Sequence, residues 1–259
     1  MKYLLHPKKL PFFTAAAGLI TLILRLALFL LGRDEKNLLI TGHPLDVLTW
    51  VVTAAAAIMI LLTVRKLDGS ARYNDNFAPS AAAAIGAFAL AGGIAVSAIS
   101  GGFSALRMEM LCRFSGILGV PAVVWAGLCR WKGKRPFFGF HALVCLYLTL
   151  YAITSYQTWS SHPQIQDWFF NMIGIAGLAL FSYYQTAFDA GMGNRRMQLI
   201  TGLLGALFCL AAIASCENPL LYIGGAVWSL TNLCSLTPAP RRRRNPITEP
   251  EKGTPNETA

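Results

Sequence analysis

Apolar residues run along this chain in long blocks, separated by short segments rich in charge, Gly or Pro. Each block spans roughly 16 to 23 residues, close to the ~20 needed to carry a helix across ~30 Å of hydrocarbon. No stretch alternates apolar and polar residues as a membrane barrel strand does. The pattern predicts an all-α polytopic integral membrane bundle of about eight transmembrane helices, near 11–31, 44–64, 79–100, 115–131, 137–156, 166–188, 197–215 and 219–236. Pro44, Pro79, Pro136, Pro163 and Pro219 fall at predicted helix starts. A missing N–H costs nothing in the first turn. The fourth block is short, and the eighth contains Asn232.

The basic residues orient this pattern. With the N-terminus inside, the outer loops hold only Arg33, Lys36, Arg107 and Arg113, and Arg25 lies within the first block. Every other Lys and Arg of the 22 falls on the inner side, as the positive-inside rule requires. Losing the eighth helix would strand Arg241, Arg242, Arg243 and Arg244 outside, so both termini are expected to be cytoplasmic. The first block follows Lys2, Lys8 and Lys9 as a signal peptide would. It is long, however, Arg25 interrupts it, and no small-residue cleavage site follows, so it reads as a retained helix. Short loops and the lack of a processed leader point to the cytoplasmic (plasma) membrane of a bacterium.

Composition agrees: 55% of residues are hydrophobic and 13% charged, and mean hydropathy is +0.51. Soluble domains carry about 25% charged residues. The formal charge of +10 sits mostly between apolar blocks, so it does not mark a nucleic-acid partner. Residues 237–259 are rich in Pro, Thr, Glu and Arg and read as a disordered basic tail. Arg241 to Arg244 would meet anionic lipid at the inner leaflet, each gaining about 1 kcal/mol. The six cysteines form no CxxC pair and read as small buried hydrophobes. Only Cys112 and Cys216 fall near outer loops, where a disulfide would be compatible with the topology.

Matched signals recur at nearly one offset. Lys9-Leu10-Pro11-Phe12-Phe13 precedes the first helix and Lys134-Arg135-Pro136-Phe137-Phe138 the fifth. Gly42-His43-Pro44 with Asp46 opens the second, and Ser161-His162-Pro163 with Asp167 opens the sixth. Leu67-Asp68-Gly69 with Arg72 follows the second, and Asp189-Ala190-Gly191 with Arg195 the sixth. This points to two parallel four-helix repeats, 1–131 and 132–236, related by an axis along the membrane normal. Start signals shared by all membrane helices are the competing explanation.

Under the duplication, His43, Asp46, His162 and Asp167 share the outer ends of helices two and six, where imidazole and carboxylate could relay protons or hold a cation. The plainer reading is helix capping and dipole compensation. Arg25 is the one charge deep in a block. It either snorkels outward or pairs with Asp46, Asp167 or an anion. Asp68, Arg72, Asp189, Arg195 and Arg196 read as inner-loop ion pairs that fix short turns, or as contacts for a phosphorylated ligand. Asn171 and Gln185 add polarity to helix six and join the candidates for a substrate path. No HExxH, GxSxG or CxxC motif is present, and no cofactor or metal site is expected. The leading expectation is a small-molecule or ion permease. A membrane sensor or assembly subunit is the alternative, and an intramembrane enzyme the third.

Overall fold

The computed structural model describes residues 9–33, 39–40, 43–65, 73–100, 107–160 and 168–236. They form eight long helices and one short turn of helix: α1 (Leu10–Leu31), α2 (Pro44–Val64), α3 (Tyr73–Asn76), α4 (Ala81–Ser100), α5 (Arg107–Trp131), α6 (Phe138–Trp159), α7 (Phe169–Ala190), α8 (Arg195–Ala212) and α9 (Pro219–Cys234). Six of them (α1, α2, α4, α5, α6 and α8) are long and apolar enough to span a bilayer. The chain is therefore a helical membrane protein. In lipid a spanning segment must satisfy its own backbone, which a helix does within itself. The other two long helices differ: α9 has only 16 residues, and α7 carries Asn171, Ser182, Gln185 and Asp189.

Six helices close a ring: α4 packs on α5, α5 on α6, α6 on α7, α7 on α8, α8 on α9, and α9 returns to α4. The pair α1–α2 is appended to this ring at α8. The α4–α9 seam is the tightest join, and its glycines explain why. A Cβ on Gly224 would stand 2.5 Å from the Ala89 carbonyl oxygen, and one on Gly93 2.6 Å from that of Leu220. Small residues let two backbones approach where lipid offers no hydrophobic drive. Within α1–α2, Thr14, Thr21, Thr49 and Thr53 are buried, and each hydroxyl donates to the carbonyl four residues back. The hydroxyls thus enter the interface already satisfied.

The two ends of the bundle differ. At one, α3 and Phe77 are tucked beneath the ring against Phe188, whose ring Phe77 meets edge-on at 5.2 Å. At the other, α5, α6 and the turn between α8 and α9 frame an open cavity. The middle of the ring is filled by Phe181, Trp228, Tyr147 and Leu178, all almost fully buried.

One expectation changes. The fourth predicted helix begins eight residues early, at Arg107, and runs through Pro121. Arg113, expected in an outer loop, therefore lies on a helix.

Candidate functional site

The α3 end holds a buried polar cluster built on α7. Ser182, Gln185 and Asp189 recur at three- and four-residue spacing, which places them on one helical face. Asp189 Oδ2 lies 2.5 Å from His141 Nδ1 in the first turn of α6. The two side chains are 0% and 5% exposed. Ser182 Oγ donates to the His141 carbonyl at 2.8 Å, which anchors α6 on α7, and the imidazole stacks on the Trp228 ring at 6.0 Å. One turn away, Gln198 of α8 donates to Gln185 Oε1 at 2.7 Å. Asp189 Oδ1, Gln185 Nε2 and Gln198 Oε1 are buried and have no hydrogen-bond partner among the described residues. Buried polar atoms are nearly always paired, so three orphans this close together mark an unsaturated network.

The elements around the cluster are tied down. Gly191 ends α7 at φ 87°, with its N–H on the Phe188 carbonyl and that of Met192 on the Ala187 carbonyl. Glycine suits this left-handed cap, which accounts for the acid–glycine pattern seen in the sequence. Arg135 donates through Nε to the Asp189 carbonyl oxygen. Arg130 of α5 is buried, donates to Ser235 Oγ at 2.6 Å and to the Tyr73 hydroxyl at 3.5 Å, and lies 4.1 Å from the Phe77 ring centroid. Burial pushes the Tyr73 phenol up from its ordinary value, against the opposing pull of Arg130. Arg195 donates to Asn76 Oδ1 at 2.8 Å. The expected turn-fixing partner of Asp189 was Arg195 or Arg196; instead Asp189 turns inward to α6, and Arg195 holds the α3 segment. Arg196 is exposed.

The opposite end carries a cavity of about 170 Å³ between α4, α5, α6 and the α8–α9 turn. Its wall includes Ser97, Glu109, Arg113, Thr154, Ser155, Thr158 and Glu217. Tyr151 and Asn218 close one side, joined by a 3.2 Å hydrogen bond from Asn218 Nδ2 to the Tyr151 hydroxyl. The Tyr147 hydroxyl, one turn before Tyr151 on α6, is buried beside Ser97 of the cavity wall. None of the sequence candidates among the described residues lines this cavity.

Those candidates lie elsewhere. Arg25 is 3% exposed and packs against α8 and α7, where it donates to the Ala211 carbonyl at 3.4 Å and to Ser215 Oγ at 3.0 Å. Its guanidinium also covers the Phe170 ring at 4.2 Å. Asn171 completes this knot by accepting from Ser215 Oγ at 3.0 Å. A cation at the last carbonyls of α8 offsets the negative end of that helix dipole. His43 is the N-cap of α2, with Nδ1 accepting from the Leu45 N–H at 3.3 Å, and Asp46 sits half-buried in the first turn. His162, Asp167, Asp68 and Arg72 lie outside the described residues, as do Arg241 to Arg244. Cys112 and Cys216 are both free thiols.

Sequence reasoning missed His141 and the cavity. His141 sits in an apolar block, 48 residues from its partner, and no local pattern marks it. The hydroxyls of Thr154, Ser155 and Thr158, crowded at one end of α6, were the available signal for the cavity. The chain matches no protein-family model, no curated protein and no solved structure.

Proposed function

We propose that this protein is a permease for a small polar solute, with its path through the α4–α9 ring. One observation carries the reading: α6 presents a polar cavity at one end and a buried histidine–aspartate pair at the other, with a packed aromatic layer between. His141 and Thr154 are thirteen residues apart, about 20 Å of helix. Polar groups at both ends of a membrane ring are costly unless something uses them. The filled middle corresponds to one closed state of an alternating-access cycle. Two carboxylates, one guanidinium and several hydroxyls around the cavity suit a solute with an amine and hydrogen-bond acceptors, such as a zwitterion.

In this reading the chain crosses a bacterial cytoplasmic membrane eight times, with α7 and α9 shielded by their neighbours. The α3 end is cytoplasmic, together with both termini, and Arg241 to Arg244 lie against anionic inner-leaflet lipid. The proposed duplication, two parallel four-helix repeats over 1–131 and 132–236, rests on the sequence offsets.

The test is accumulation. Liposomes holding the full chain are exposed to a defined mixture of amino acids, amines, polyols and short carboxylates, and their contents are read by mass spectrometry. At least one solute is expected to exceed its level in empty liposomes, and Ser155→Trp, which fills the cavity, to remove the excess. No excess under any imposed gradient would replace the permease with the sensor or assembly reading.

A further inference from the structure

We infer that the His141–Asp189 pair is an exchangeable proton-binding site, loaded from the α3 end. Its role in coupling rests on the permease reading, but the site itself stands on geometry. Imidazole and carboxylate 2.5 Å apart share one proton, either as imidazolium with carboxylate or as imidazole with carboxylic acid. In both forms the pair is neutral overall. Removing that proton leaves a net negative charge, in a place where the aspartate side chain is 0% exposed. Burying an uncompensated charge is expensive, so the proton cannot leave unless water, a cation or a structural change arrives with it. This is the physical requirement for coupling proton movement to an opening of the bundle.

The surroundings favour a proton over a metal. Among the described residues no group of three or more His, Cys, Asp or Glu could hold an ion, and His141 Nδ1 is already engaged by Asp189. The groups facing the pair come from every packed element. From α7 there are Gln185 and Ser182, and from α9 the Trp228 ring. The turn before α6 supplies Arg135, which bonds the backbone carbonyl of Asp189 and leaves the carboxylate alone. From α3 comes the Tyr73 hydroxyl, within electrostatic reach of both Asp189 and Arg130; α5 supplies Arg130 itself and Cys129. The unpartnered Asp189 Oδ1, Gln185 Nε2 and Gln198 Oε1 leave room in the hydrogen-bonding for a proton to arrive and depart. A purely structural pair would have those atoms filled, as the Arg25 knot does with its carbonyl, hydroxyl and ring. Loading takes one proton from water and forms one N–H or O–H bond at the pair. Unloading breaks that bond and returns the proton to water. Phe77 and α3 pack on Phe188, next to Asp189 in the chain, so their displacement is the natural gate.

The experiment reads the proton without any solute. Full-length protein in liposomes is examined by infrared difference spectroscopy between acid and alkaline buffer, alongside a count of protons released per chain. The wild type is expected to show an Asp189 carboxyl-group band, of the acid or of the carboxylate, that changes with pH, and Asp189→Asn to lose that band and to release one proton fewer. Should Asp189→Asn fail to fold, His141→Gln keeps the carboxyl but alters the band's frequency, because its hydrogen-bond partner has changed. Identical spectra in wild type and both variants, or no pH-dependent carboxyl band at all, would overturn the inference. A titrating band with no solute accumulation would leave the proton site standing and remove the permease. Accumulation with no titrating band would do the reverse.

Discussion

Two buried polar knots lie at opposite ends of this molecule, and they differ in how completely they are satisfied. Arg25 clamps the appended α1–α2 pair to α8. Its guanidinium has a carbonyl, a hydroxyl and an aromatic face, and the hydroxyl it meets is itself bonded to Asn171. His141 and Asp189 stand inside the ring at the α3 end, with one carboxylate oxygen and two amide atoms nearby unpartnered among the described residues. Charge in the membrane is therefore no single signal of function. A saturated charge holds helices together, and an unsaturated one is available for chemistry.

This contrast can be broken by substitution. Arg25→Leu should carry the largest loss of stability, about 1–3 kcal/mol, because it leaves the α8 carbonyl and Ser215 without their charged donor. Thermal unfolding in detergent measures it, and the protein that does fold should accumulate solute at the wild-type rate per molecule. Asp189→Asn should behave oppositely. Asparagine keeps a polar partner opposite His141 and buries no carboxylate, so stability should change by less than about 1 kcal/mol while the pH-dependent carboxyl band disappears. Similar unfolding shifts in the two variants would erase the distinction between clamp and site.

A smaller effect concerns Cys216, in the turn beside the Arg25 knot. Burial pushes its thiol up to about 12, more than the nearby Arg25 lowers it. An unfolded cysteine titrates near 8.5. The folded state thus keeps its proton where the unfolded state has lost it, so this group's contribution to stability falls as pH rises above the unfolded value. With Cys216 as the sole cysteine, maleimide labelling at mildly alkaline pH should be slow in the folded protein and fast after denaturation. Equally fast labelling would show that the turn is open.

Much of the fold was legible, because lipid imposes one rule on every spanning segment. The bounds of α2 follow from Pro44 and the charge beginning at Arg65. The start of α5 was misplaced for an instructive reason. Arg113 reads as a loop residue since charge seldom enters a membrane helix, but a polar cavity shelters it there beside Glu109. His43 fits its plainer reading as a cap. Asp189 drew attention as a turn residue, while its partner His141 did not, because contact between the first turn of α6 and the last of α7 is a property of packing. Nothing in a one-dimensional pattern shows whether Arg25 or Asp189 ends up saturated.

In the permease reading the ring, and not its junction with α1–α2, encloses the path. A covalent plug tests it most directly. With the six native cysteines replaced, single cysteines are placed at Thr158, on the cavity wall, and at His43, at the same end of the appended pair. Each protein is then treated with a bulky impermeant thiol reagent, and solute accumulation in liposomes is measured before and after. Modification at 158 is expected to stop accumulation and modification at 43 to leave it unchanged. Block at 43 with free passage at 158 would contradict this reading and move the path to the α1–α2 junction.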